Sequence, residues 1–131
     1  MTTHTVLLVE DDTDQREMYL LMLRMMGFAV RAVGDAAAAR GVLEREPVAL
    51  LLTDWYLPEP EGILLISEVR QRDMAVRTIL MSNAWHVAPV ADAAGADGWY
   101  RKGESLDDLR ALIQRLLTPV EIHDTAAAAL A

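Results

Sequence analysis

Short apolar runs alternate along the chain with longer stretches of helical periodicity. Thr5–Val9 is a compact apolar run that stops at three acidic residues, and its length and β-branched content predict a strand buried on both faces. The same criteria predict strands at 5–9, 28–33, 48–53, 77–81 and 97–101, and helices at 13–26, 36–43, 63–72 and 106–117. The stretch 86–94 is ambiguous, because its alanines favour a helix while Pro89 either lies in the first turn or breaks it. Five strand–helix repeats imply a parallel sheet with helices on both faces, joined by right-handed crossovers.

Polar and turn-forming residues mark the ends of these elements. Asp12 and Gln15 stand three apart, which predicts an N-cap and its N3 partner at the start of the first helix. Asp35 and Ser105 are the predicted N-caps of the second and last helices. Two prolines and a glycine within 57–62 predict a loop between the third strand and the third helix.

Length and composition narrow the class of protein. The 131 residues correspond to one domain, predicted over 1–118, followed by a tail, 119–131, for which disorder and a frayed helical stub are both open. The count of 20 acidic against 12 basic residues gives a formal net charge of −8, which argues against direct binding to nucleic acid. The absence of cysteine excludes disulfides, thiol nucleophiles and zinc–thiolate sites. No signal-like segment opens the chain and no apolar run reaches ~18 residues, so we expect a cytoplasmic protein with no membrane span.

Candidate chemistry lies at the carboxyl ends of the predicted strands, where open parallel sheets bind their ligands. These ends carry Glu10, Asp11, Asp12, Asp54, Ser82, Asn83 and Lys102. Crowded carboxylates repel one another unless a cation intervenes, and Mg²⁺ with oxygen ligands is the natural compensation. A carboxylate beside Mg²⁺ and an ammonium group is in turn a plausible nucleophile toward phosphorus.

Each of these residues also has an ordinary structural interpretation. Asp11 or Asp12 could cap a helix, and Asp54 could open a turn. Ser82 could be a loop hydroxyl, and Lys102 a solvated charge. The combination favours a site, because four of the five predicted strands end in a residue suited to the same pocket.

The motifs around these residues resemble the receiver domain of two-component response regulators, over roughly Thr5 to Leu117. The quoted stretches are Val9-Glu10-Asp11-Asp12, then Asp54-Trp55-Tyr56-Leu57-Pro58-Glu59-Pro60-Glu61-Gly62, then Ser82, and Gly95-Ala96-Asp97-Gly98-Trp99-Tyr100-Arg101-Lys102. The second is similar to the family's phosphoacceptor stretch, Asp-x-x-Met/Leu-Pro-x-x-Asp/Glu-Gly. The resemblance implies a flavodoxin-like α/β fold with a five-stranded parallel sheet in the order 2-1-3-4-5.

The resemblance also implies a chemistry for the rim of the sheet. Asp54 would accept a phosphoryl group from a phosphohistidine on a histidine kinase or histidine phosphotransfer protein. Asp11, Asp54 and the backbone carbonyl of Tyr56 would bind Mg²⁺ or Mn²⁺ directly, and Glu10 would hold a metal-bound water. Lys102 would contact the phosphoryl oxygens.

The resemblance implies a switch as well. Phosphorylation would draw the Ser82 hydroxyl toward the phosphoryl group and let Trp99 rotate inward. The face built from the fourth helix, the fifth strand and the fifth helix would then change its affinity for a downstream protein.

Three departures from the family pattern concern switching more than phosphorylation. Gly103 follows Lys102 where proline is usual, so we expect a trans peptide there and a differently placed loop. Asn83 stands where a small residue is usual and, with Tyr56, is expected to modulate dephosphorylation. Trp99 is bulkier than the usual Tyr or Phe, which would hinder its inward rotation.

The first predicted helix is unusually apolar, so some of Leu20, Leu21 and Met25 should remain exposed. A docking face for the phosphodonor or for a second copy in a homodimer, and a wide stripe facing the core, are both open interpretations.

We expect a stand-alone receiver, since 131 residues leave no room for an output domain, and at most catalysis of its own phosphoryl transfer and autodephosphorylation. The rivals are a receiver-like interaction module with vestigial phosphorylation and a small phosphatase with an aspartate nucleophile. The phosphatase is disfavoured because Tyr56 stands where an Asp-x-Asp motif needs its second aspartate.

Overall fold

Five strands and five helices alternate along the chain in the computed structural model, which describes residues 4–72 and 75–118. The strands are β1 (Thr5–Val9), β2 (Ala29–Val33), β3 (Leu50–Asp54), β4 (Arg77–Ser82) and β5 (Gly98–Arg101). The helices are α1 (Thr13–Met25), α2 (Ala36–Arg45), α3 (Glu61–Arg72), α4 (Val87–Ala94) and α5 (Leu106–Leu117). Every predicted element is present, with boundaries that move by a few residues.

The strands form one parallel sheet in the order β2-β1-β3-β4-β5. This confirms the predicted fold class and strand order. Asp54 is in register with Met81, and Ser82 is in register with Arg101. The carboxyl ends of β1, β3, β4 and β5 therefore reach the same rim, as the convergence of polar residues required.

The core has two layers because successive side chains of a strand face opposite sides of the sheet. In β1, Leu7 and Val9 pack with α2, α3 and α4, while Val6 and Leu8 pack with α1 and α5. All four side chains are fully buried. The strand is therefore covered on both faces, as its unbroken apolar run predicted.

The predicted N-caps are present, with one correction at α1. The side chains of Asp12, Asp35 and Ser105 each accept a backbone N–H from the first turn of the helix that follows. At α1 the donor is the N–H of Gln15, 2.8 Å from Asp12 Oδ2. The reciprocal contact of a capping box is absent, because the N–H of Asp12 donates to Glu10 Oε2 at 3.2 Å and the Gln15 side chain has another partner.

The predicted loop at 57–62 was wrong at its end, because α3 begins at Glu61 and includes Gly62. Gly62 fits there because it has no side chain: a Cβ at this position would lie 1.9 Å from the carbonyl oxygen of Asp54. The N–H of Gly62 also donates to the carbonyl of Trp55 at 3.0 Å. The first turn of α3 is thereby seated on the end of β3. In the ambiguous stretch 86–94, Pro89 lies in the first turn of α4, where its missing N–H costs nothing.

Within the described ranges, no helix combines the length and the apolar character that a membrane span needs. Of the helices described, α1 is the longest, at 13 residues. The predicted tail at 119–131 lies outside the described residues.

Candidate functional site

Three carboxylates meet at the carboxyl ends of β1 and β3, which are neighbours in the sheet. Glu10 and Asp11 follow β1 directly, and Asp54 is the last residue of β3. One carboxylate oxygen from each of the three lies within 4.8 Å of the others. Glu10 is buried, Asp54 is half-buried and Asp11 is exposed, so the cluster opens to solvent on the Asp11 side. The structure therefore brings together the three acidic residues that the sequence analysis selected.

Lys102 lies among these carboxylates. Its Nζ donates to Glu10 Oε1 at 2.6 Å and to Asp54 Oδ2 at 2.8 Å, and its side chain is only 7% exposed. The backbone N–H of Lys102 donates to the carbonyl of Ser82 at 2.9 Å, which fixes the end of β5 to the end of β4. The structure thus places Lys102 in the same pocket as Glu10 and Asp54.

Burial, hydrogen bonds and neighbouring charges together shift the pKa values of Glu10 and Lys102. Burial raises the pKa of the Glu10 carboxyl, and the charge of Asp54 adds to this, while the hydrogen bond from Lys102 opposes it. Burial alone would lower the pKa of Lys102, but its hydrogen bonds to Asp54 and Glu10, together with their negative charges, outweigh burial and raise it. Lys102 is thus held as an ammonium, which is the form that can neutralise anionic oxygens.

Two residues of α1 that were not predicted as site residues complete the pocket. Gln15 Oε1 accepts a third hydrogen bond from Lys102 Nζ at 2.8 Å. Arg16 Nη1 donates to the backbone carbonyl of Glu10 at 2.8 Å, and so ties the end of β1 to the helix that follows. Their positions in the first turn of a helix that starts at the rim could have indicated that their side chains lie near the pocket.

Ser82 and Asn83 occupy the β4 side of the rim. Ser82 is buried, and its Oγ accepts the N–H of Ala84 at 3.0 Å. A hydroxyl that accepts one hydrogen bond keeps its own proton to donate, which is the property that the predicted switch role requires. Asn83 is exposed, and its modulating role stays a prediction.

An aromatic cluster borders the pocket on the β3 side, and the sequence analysis did not anticipate it. Trp55 is buried, and its backbone N–H donates to Asp54 Oδ1 at 2.8 Å. Its ring stacks on Tyr56 at 5.1 Å and meets His86 edge-on at 5.4 Å between centroids. Tyr56 is half exposed, and the role of its carbonyl as a metal ligand stays a prediction. One oxygen of Asp54 is thus held by Trp55 and the other by Lys102.

Trp99 lies on β5 with its side chain partly exposed (39%), next to the buried Tyr100. It lines an open groove of about 380 Å³ with acidic side chains, among them Glu104 and Asp108. The hydroxyl of Tyr100 donates to the carbonyl of Glu104 at 2.5 Å, which fastens the loop after β5. Trp99 therefore stands toward solvent, and its inward rotation stays a prediction.

Gly103 determines the path of the loop after Lys102. Among the described residues the cis peptide is Leu57–Pro58, and Lys102–Gly103 is trans as predicted. Gly103 has φ +94°, in the left-handed region. Proline is fixed near −65° and cannot adopt that conformation, so the path of this loop depends on the glycine.

Comparisons with known proteins agree on one family. The family model described as "Response regulator receiver domain" matches residues 6–114. The response regulator protein PilR of Pseudomonas aeruginosa is 33% identical over 119 residues, which cover 89% of this chain and 27% of PilR. The response regulator receiver protein CpdR of Brucella abortus is 32% identical over 114 residues, which cover 86% of this chain and 95% of CpdR. The receiver domain of the TMAO respiratory system response regulator TorR superposes with a TM-score of 0.79 at 26% identity, covering 87% of this chain and 96% of that domain. The chain thus spans about a quarter of one relative and nearly all of the other.

Proposed function

The chain belongs to the response regulator receiver family, and on that premise we propose that Asp54 accepts a phosphoryl group from a phosphohistidine. The observation that carries the proposal is the contact between Asp54 Oδ2 and Lys102 Nζ at 2.8 Å in a pocket shared with Glu10 and Asp11. A nucleophilic carboxylate and a fixed ammonium at this distance are what phosphoryl transfer needs, because the reaction depends mainly on positioning and charge neutralisation.

The donor set fits a hard divalent cation. Glu10, Asp11 and Asp54 offer carboxylate oxygens, the ligands that Mg²⁺ prefers, and the exposed side of Asp11 leaves room for the waters that this ion keeps. Asp11 and Asp54 would bind Mg²⁺ or Mn²⁺ directly with the carbonyl of Tyr56, and Glu10 would hold a metal-bound water. When bound, the ion neutralises negative charge on the phosphoryl oxygens.

The residues of the chain then divide the reaction among them. One Asp54 oxygen bonds to phosphorus as the phosphorus–nitrogen bond of the phosphohistidine breaks, and the released imidazole takes up a proton from solvent. Lys102 stays within reach of the transferred group and balances its charge. The Ser82 hydroxyl donates a hydrogen bond to a phosphoryl oxygen, which is the contact that couples the pocket to β4.

Two surfaces are available for partners. The groove beside Trp99 lies on the face of α4, β5 and α5, where we propose that a downstream protein binds when phosphorylation moves Ser82 and Trp99. On α1, the prediction of exposed apolar residues is confirmed for Leu21 and Met25, whose exposed fractions are 60% and 78%. This second surface suits the phosphodonor, a histidine kinase or histidine phosphotransfer protein, with a homodimer as the alternative.

We further propose that the chain acts as a stand-alone receiver in the cytoplasm, either switching an interaction surface or relaying phosphate. The match to CpdR over 95% of that protein supports the proposal of a stand-alone receiver. Catalysis is limited to the chain's own phosphoryl transfer and autodephosphorylation.

The test is incubation with acetyl phosphate and Mg²⁺, followed by intact mass and Trp fluorescence. Trp55 adjoins the acceptor, so its emission should report metal and phosphoryl binding. We expect a gain of one phosphoryl mass that disappears in Asp54→Asn and persists in the matched control Asp14→Asn, which changes an exposed carboxylate on α1. Absence of modification together with retained Mg²⁺ binding would favour an interaction module with vestigial phosphorylation. Turnover of an unrelated phosphate ester would favour the phosphatase.

A further inference from the structure

Lys102 is the only lysine of the chain, although 12 residues are lysine or arginine. It is also the basic residue that the described structure places among the rim carboxylates. Its ammonium carries three N–H groups, and each has an acceptor: Glu10 Oε1 at 2.6 Å, Asp54 Oδ2 at 2.8 Å and Gln15 Oε1 at 2.8 Å. Three acceptors for three donors leave the ammonium fully bonded in this state.

The three acceptors differ in the other contacts that they make during the proposed reaction. Glu10 and Asp54 belong to the carboxylate cluster that fits a divalent cation, and Asp54 is the proposed phosphoryl acceptor. In the proposed reaction Glu10 also accepts a hydrogen bond from a metal-bound water, and Asp54 binds the cation and then phosphorus. Both carboxylates then share their electron density with a second partner, so both of their contacts with the ammonium weaken. Gln15 is an uncharged amide outside that cluster. Its contact with Lys102 does not compete with either event.

Gln15 is also held in place. It lies in the first turn of α1, where its backbone N–H donates to Asp12 Oδ2 at 2.8 Å. Because lysine can only donate, the amide oxygen of Gln15 and not its NH₂ group must face Nζ. The helix therefore presents a fixed, neutral acceptor to a residue that comes 87 positions later in the chain.

We propose that Gln15 is a positioning residue that keeps the Lys102 ammonium in the pocket while Glu10 and Asp54 are engaged with a cation or a phosphoryl group. The inference deepens the proposed function and rests on it for the reaction, but the contact between Gln15 and Lys102 is a property of the folded chain alone. Without Gln15, the ammonium would share every acceptor in the pocket with the cation or with the transferred phosphoryl group.

The single lysine allows a direct measurement. Nitrogen-15 lysine labelling gives one ammonium signal, from Lys102, and this signal is visible in NMR spectra when hydrogen bonds slow the exchange of its protons with water. We expect the signal in the wild type both without and with saturating Mg²⁺. In Gln15→Met, which keeps side-chain length and removes the acceptor, we expect the signal without Mg²⁺ and its loss by faster exchange when Mg²⁺ is added. Gln15→Glu restores an acceptor oxygen and should restore the signal.

Kinetics provide the second measurement. With acetyl phosphate at saturating Mg²⁺, Gln15→Met should lower the maximal phosphorylation rate roughly tenfold, as expected for the loss of one hydrogen bond to a charged group. The concentration of acetyl phosphate at half-maximal rate should stay unchanged. Gln114→Met, an exposed position on α5, is the matched control and should leave the signal and the rate as they are.

The outcomes distinguish the role of Gln15 from the proposed function. An ammonium signal that survives Mg²⁺ in folded Gln15→Met overturns the role of Gln15, whatever the rate. If the wild type is not phosphorylated but Gln15→Met loses its signal with Mg²⁺, the positioning role stands and the proposed function fails. Should Gln15→Met not fold, the same comparison is made with Gln15→Glu, in which a signal lost on adding Mg²⁺ counts against the inference.

Discussion

Adding one methyl group at Gly62 should destabilise the protein, because the position faces the backbone of β3. A Cβ there would lie 1.9 Å from the carbonyl oxygen of Asp54 and 3.0 Å from the Cα of Trp55, whereas ordinary contacts begin at 3.4 Å. The gap between α3 and β3 must therefore open by about 1.5 Å, the difference between 3.4 and 1.9 Å. Neither neighbour is the end of a flexible side chain, so the backbone itself has to move.

The size of the effect follows from two losses and one gain. Overpacking costs about 1–3 kcal/mol, and the stretched hydrogen bond from Gly62 N–H to the Trp55 carbonyl costs about 0.5–1.5 kcal/mol more. The higher helix propensity of alanine returns about 0.5–1 kcal/mol. We expect a net loss of about 2–3 kcal/mol in the free energy of unfolding, which lowers Tm by roughly 8–12 °C for a domain of this size.

Thermal and urea unfolding followed by circular dichroism measure this loss. Gly41→Ala is the matched control, since it makes the same substitution inside α2, where the new Cβ would lie 3.1 Å from the guanidinium at the end of the long Arg45 side chain. That variant should gain about 0.5–1 kcal/mol. If Gly62→Ala is as stable as the wild type, within about 0.5 kcal/mol, the close approach of Gly62 to Asp54 does not position α3.

Two further predictions concern charge and buried polar groups. The pKa values of Lys102 and of the buried Tyr19 are raised, so the folded chain keeps protons that the unfolded chain loses above about pH 10. In urea titrations, the free energy of unfolding should therefore be lower at about pH 11 than at about pH 8. Equal free energies of unfolding at the two pH values would contradict this prediction. Asp97→Ala should lower the free energy of unfolding by about 1–3 kcal/mol, because Asp97 Oδ2 accepts the backbone N–H of the fully buried Thr78 at 2.8 Å. The control Asp107→Ala, at an exposed site, should change it by under about 0.5 kcal/mol. Similar values for the two variants would contradict the role given to Asp97.

The architecture and the acidic rim could be predicted because both follow from local patterns. Each strand is an apolar run with clear ends, and a parallel sheet brings all carboxyl ends to one side, so no tertiary contact had to be known to group Glu10, Asp54 and Lys102. The order of the strands and the roles of Asp11, Ser82 and Trp99 came instead from the family resemblance.

The contacts that could not be predicted depend on distances across the fold. The spacing of Gln15 from Asp12 suggested a local capping partner, but a lysine far along the chain takes its side chain. The prolines between Asp54 and Gly62 predicted a loop, while the close approach of two backbones decides where α3 begins. Trp55 gave no sign of burial, since it directly follows a strand end at the rim. Periodicity reports which face is buried and not which side chain meets which.

The three hydrogen bonds of the Lys102 ammonium span 48, 87 and 92 residues of sequence. Such contacts form late in folding, because the entropy of closing long loops is lost before the contact returns any energy. During synthesis, Glu10 and Asp54 are made long before Lys102, and they remain without its ammonium until β5 has emerged and joined β4. An intact arrangement around Lys102 therefore requires that the last strand has docked, so the pocket cannot assemble on a partly folded chain.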